Sequence, residues 1–140
     1  MTIGKAFGQI IGGVAQQEAG KYTRSVMQTN AANAEADTQS EIERLRTTAR
    51  LAMGRQVNTP GASGLEFSGS ALDALRESGI ESQLEMMQTR RQGATAATGY
   101  RTQGKIAYAQ GYNGMIQGFA GAAAAIGEDA KDYAAAGSGG

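Results

Sequence analysis

The sequence predicts an all-α protein: an elongated antiparallel helical hairpin of two long helices, assembled into a homo-oligomeric ring or tube. Three observations carry this. Small and apolar residues recur at steps of 3 and 4 along both halves of the chain, the spacing of a helix face. The single Pro, Pro60, stands in a stretch that also holds Gly61 and Gly64, and these three define the one strong break. Hydrophobic residues make up 41% of the 140, yet roughly a fifth of the chain is Ala and Gly numbers 21, so large core-forming side chains are few. A monomer of that composition buries little apolar area against roughly 1–2 kcal/mol of backbone entropy per ordered residue, so packing against copies or partners is expected.

The elements follow in order. Residues 1–13 form a Gly-rich apolar segment in which Gly4, Gly8 and Gly12 make two GxxxG steps between Ile3, Phe7, Ile10 and Ile11. Residues 14–57 read as the first long helix. Ala15, Ala19, Tyr22 and Val26 share one face, and so do Ile42, Leu45, Ala49 and Ala52, with an Ala-rich polar middle that favours helix by propensity. Residues 58–69 are the Pro/Gly turn. Residues 70–127 read as the second long helix, opened by Ser70 with Asp73 three residues on, as in a capping box. Residues 128–140 read as a flexible tail.

The second helix carries the most specific pattern. Ala97, Tyr100, Gly104, Ala107, Gly111, Gly114, Gly118, Gly121 and Ala125 alternate steps of 3 and 4. Gly inside a helix costs about 1 kcal/mol relative to Ala, and close approach of a neighbouring backbone is what offsets such a cost. Ala97, Gly104, Ala107, Gly111, Gly114, Gly118, Gly121 and Ala125 are therefore the expected helix-packing seam. Phe7, Ile10, Ile11, Met115, Phe119 and Ile126 are expected to face a membrane or a partner.

Charge sets an expected register. Folding the arms about Pro60–Gly64 places Arg55 by Asp73, Arg50 by Glu77, Arg46 by Glu81, Asp37 by Arg90 and Glu35 by Arg91, pairs whose numbers sum to 126–128. Carried outward, that register sets Ile11 against Ile116, Gly8 against Phe119 and Gly13 against Gly114.

Chemistry is sparse. With no Cys and no His, thiol and imidazole catalysis and the usual metal ligands are missing. Asp73, Glu77, Glu81 and Glu85 form an i, i+4 ladder that reads as a solvated, ion-paired face. The glycines match no nucleotide-binding loop. Lys plus Arg equals Asp plus Glu at 13 each, which argues against a protein that binds DNA mainly by neutralising phosphates. No catalysis, cofactor or metal is expected. No stretch reaches 18 apolar residues, so no transmembrane helix is expected.

The segment Gly64-Leu-Glu-Phe-Ser-Gly-Ser-Ala-Leu-Asp-Ala-Leu75, Glu85 through Gly93, and the Gly/Ala/Tyr repeats to Ile126 resemble the small internal virion protein of short-tailed bacteriophages, over roughly residues 25–126. The resemblance implies a structural protein of the virion interior. It implies release on infection with larger ejection proteins, from beside the portal, and a part in a channel at the host outer membrane within the cell envelope. Implied partners are copies of itself, those ejection proteins and the portal, with DNA met only as passing genome. The alternative is a purely structural scaffold or portal-associated helical protein with no membrane role.

Overall fold

The computed structural model describes residues 3–57 and 69–137, and all of them are α-helical. Helix α1 runs Ile3–Val57 over 55 residues and helix α2 runs Gly69–Gly137 over 69 residues. The turn residues Pro60, Gly61 and Gly64 lie outside the described residues.

Two expected boundaries move. The Gly-rich segment 1–13 is not a separate element, because α1 already begins at Ile3. Its glycines oppose helix by propensity, but Ala6 is buried and so is Gly13, and this packing offsets the propensity cost. The expected tail from residue 128 is also helical, as far as Gly137. Ala130, Ala134, Ala135 and Ala136 are the strongest helix formers available, and they carry α2 onward. Thr and Ser inside the helices are accommodated by back-bonding. The hydroxyls of Thr23, Thr38, Ser82 and Thr95 each donate to the carbonyl four residues earlier, at 2.6–2.9 Å.

The chain forms two compact units, Met1–Asn30 with Tyr100–Gly140, and Ala31–Gly99. Each pairs a piece of α1 with a piece of α2. In the first unit Gln9 meets Gly118, Gly13 meets Met115, Gly20 meets Ala107 and Arg24 meets Gly104. Numbers rise on one helix as they fall on the other, so the pairing is antiparallel. In the second unit Thr38 meets Gly93 and Met53 meets Gly79, again antiparallel.

The interior is made of small residues. Among the described residues the buried apolar side chains are Ala6 and Ala122 in the first unit, and Ala31, Ile42 and Ala97 in the second. Ile42 is the only large one among them. Phe, Tyr, Met and Leu side chains stand mostly on the outside.

Contacts in the first unit have numbers summing both to 127, as Gly118 with Gln9 and Gly111 with Gln16, and to 131, as Gly118 with Gly13 and Gly111 with Gly20; in the second unit Thr38 with Gly93 and Met53 with Gly79 sum to 131 and 132. Arg46 and Glu81, and Arg50 and Glu77, stay exposed and close no ion pair with each other, nor do Asp37 and Arg90. Arg55 and Asp73 are exposed near the turn. Arg44 and Glu41 form an ion pair at 3.0 Å within α1.

Candidate functional site

The expected seam on α2 lies against α1. Gly104 and Gly111 are buried, and Gly114, Gly118, Gly121, Ala107 and Ala125 are half-buried. A Cβ built on Gly111 would stand 2.6 Å from the Gln16 carbonyl oxygen and 3.1 Å from the Gly20 Cα. On Gly118 it would stand 2.7 Å from the Gln9 carbonyl oxygen and 3.1 Å from the Gly13 Cα. Backbone therefore meets backbone at these two positions, with no room for a methyl. Gly104 is looser, with the Met27 Cβ at 3.1 Å. Gly114 and Gly121 differ in kind, since they are covered by the side chains of Gln16 and Gln9.

The seam has a second half on α1. Gly13, set against Gly114 by the sequence, is buried, and a Cβ on it would lie 3.4 Å from the Gly114 carbonyl oxygen; Gly20, which the sequence reading did not single out, is also buried, with a Cβ 2.8 Å from the Ala107 carbonyl oxygen. The available signal was their seven-residue spacing, which equals that of Gly111 and Gly118 and forms two facing Gly pairs. The GxxxG glycines pointed elsewhere. Gly4, Gly8 and Gly12 have nothing within 4 Å of an added Cβ, so they take no part in the packing.

Around this thin seam the first unit has two unlike faces. Ala19 and Gln110, which precede Gly20 and Gly111, line an open groove of about 280 Å³ with Gln16, Thr23 and Ala107. Gln103 and Gln117 continue the column of Gln110 at seven-residue steps, so this face is polar. On the other face the Arg24 guanidinium lies 4.9 Å from the centre of the Tyr108 ring, a cation–π contact. The residues that follow the seam glycines fall on this side. Tyr112, Phe119 and Ile126 form one column on α2, and Val14 and Phe7 form another on α1.

These side chains are open to solvent. Phe7 and Ile11 are each 64% exposed, Ile126 60% and Phe119 47%, while Ile10 and Met115 are half-buried. The first unit is thus small within and large and apolar without. In the second unit Ile80, Leu84 and Met87 are exposed along one side of α2, where Leu84, Met87 and Arg91 line an open groove.

Among the described residues, no three His, Cys, Asp or Glu side chains gather where a metal could be held, and no helix is long and apolar enough to cross a membrane. No family model, curated protein or solved structure matches the chain.

Proposed function

We propose that the protein is a non-catalytic structural subunit, a helical hairpin made to be covered by other protein, and that its setting is the interior of a short-tailed phage virion. One observation carries the first part. Phe7, Ile11, Tyr112, Ile116, Phe119 and Ile126 stand on the outside while Gly and Ala fill the inside. An exposed apolar patch of that extent marks an interaction surface. The phage setting is supported by the sequence resemblance, through the Gly64–Leu75 pattern and the small-residue repeats that follow. In this reading the subunit is ejected on infection and helps form a channel across the host envelope. It works with copies of itself, larger ejection proteins and the portal.

A second reading, a scaffold that stays in the capsid core and never meets a membrane, is favoured by length. The apolar column from Tyr112 to Ile126 rises only about 20 Å, less than the roughly 30 Å of a bilayer core. Mass spectrometry of purified virions before and after genome release tests the proposal. Presence before and loss after supports the ejected subunit. Retention in the emptied particle supports the scaffold. Absence from virions contradicts both.

A further inference from the structure

We propose that the outer side of α2 in the second unit docks on the same side of α2 in a second copy of this chain, the two helices antiparallel, with Ile80, Leu84 and Met87 of each set between side chains of the other. The proposal deepens the structural-subunit reading and rests on it.

The shape of the surface selects a helix as the occupant. Along this part of α2, Ser78, Gly79, Ser82, Met86, Thr89 and Gly93 are half-buried, while Ile80, Leu84, Met87 and Arg91 are exposed at steps of 4, 3 and 4. The helix therefore carries a second seam, on the side away from α1 and at coiled-coil spacing. Leu84, Met87, Gln88 and Arg91 line the open groove there. These four stand at i, i+3, i+4 and i+7, the corners of the hole that receives one knob of a facing helix. Ile80, Leu84 and Met87 are 54–62% exposed, so each can serve as a knob.

Charge selects a second copy and sets its direction. The charged residues of this side and its flanks are Asp73, Arg76, Glu77, Glu81, Glu85, Arg90 and Arg91, all exposed. In the hairpin Glu77 closes no ion pair with Arg50. An antiparallel copy centred on Leu84 brings together positions whose numbers sum to 168. Glu77 then lies by Arg91 of the copy, twice by symmetry, and Ile80 meets the hole between Leu84 and Arg91. Asp73, Arg76 and Glu77 together are net acidic, and they face the basic Arg90 and Arg91. A parallel copy sets acidic on acidic and basic on basic. Glu81 and Glu85 flank the middle in either direction, so they weaken the contact without choosing between the two.

The other exposed apolar side chains of this unit, Leu51, Met53 and Leu72, lie outside the groove. Neither they nor the outer side of the first unit take part. Three apolar side chains cover less than the ~800 Å² per partner of a standard interface, so the contact is of the weak class and covalent capture reads it best.

The chain has no Cys, so single thiols report single positions. Leu84→Cys puts one at the proposed two-fold axis, and Thr47→Cys puts one on an exposed position of α1. A short bis-maleimide should join Leu84→Cys chains into dimers at least about tenfold faster than Thr47→Cys chains. Direction is read with Leu84 in place. Asp73 and Thr95 also sum to 168, and in the antiparallel pair each stands about 33 Å from its own counterpart. Asp73→Cys chains mixed with Thr95→Cys chains should give the mixed dimer, while either alone stays single. That mixed dimer should fall at least about tenfold when both chains also carry Leu84→Glu, and about threefold with Arg91→Glu. Adding Glu77→Arg to Arg91→Glu should restore it.

Equal rates at Leu84→Cys and Thr47→Cys overturn the proposal. Dimers of Asp73→Cys alone, the mark of a parallel pair, also overturn it. Association of the chain with both thiol tests silent overturns it too, while the structural-subunit reading survives. Shielding of Leu84→Cys by anionic phospholipid vesicles, without self-cross-linking, overturns it in favour of a lipid surface. A folded monomer up to about 100 µM overturns both the proposal and the reading beneath it.

Discussion

A glycine in a helix costs about 1 kcal/mol against alanine, and the glycines of this chain divide by what an added methyl meets. None of those described has positive φ, so none is there for a turn. At Gly20, Gly111 and Gly118 the methyl meets a carbonyl oxygen of the facing helix at 2.6–2.8 Å. Backbone cannot swing aside, so the helices must part. The Gly111→Ala, Gly118→Ala double variant is expected to lose about 2 kcal/mol or more, despite its better propensity. The Gly114→Ala, Gly121→Ala pair is expected to be near neutral, because Gln16 and Gln9 can rotate away. Gly54→Ala and Gly99→Ala meet nothing and are expected to gain roughly 0.5–1 kcal/mol each. Urea unfolding followed by circular dichroism reads all of these. The seam on α2 was legible in sequence as a run of small residues at heptad spacing. Which glycines touch backbone and which touch a glutamine was not legible, since that depends on the rotation of α1 against α2.

At the scale of the elements, spacing marked both helices but not where they end. Gly4, Gly8 and Gly12 read as poor helix, and packing at Ala6 and Gly13 outweighs propensity there, while the residues after 127 read as a flexible tail and are helical as far as Gly137, where alanines favour helix. The charge register is tested separately. With Arg50 by Glu77, Arg50→Glu is expected to be rescued better by Glu77→Arg than by Glu81→Arg. The difference is a few tenths of a kcal/mol, as fits exposed charges, and it should fade in 0.5 M salt. A double-mutant cycle on thermal stability reads it. Better rescue by Glu81→Arg overturns the register expected from sequence.

At the scale of the whole molecule, the distribution of side-chain size is the main physical fact. The composition already showed that large apolar residues are scarce. Where the few present stand came from spacing, which set Phe7, Ile11, Phe119 and Ile126 to face outward from a Gly/Ala seam, and these side chains and that of Tyr112 are exposed. A seam of small residues gives close approach but little area, and the hydrophobic effect scales with area. On the proposed reading, stability comes in large part from the protein that covers the outer face, and folding is linked to association. Sedimentation equilibrium with far-ultraviolet circular dichroism on the same samples, over a dilution series from about 100 µM to 0.1 µM, tests this most directly. The account predicts that molar mass and helix content fall together, both returning on reconcentration. A species that stays fully helical as a monomer throughout the series would contradict it.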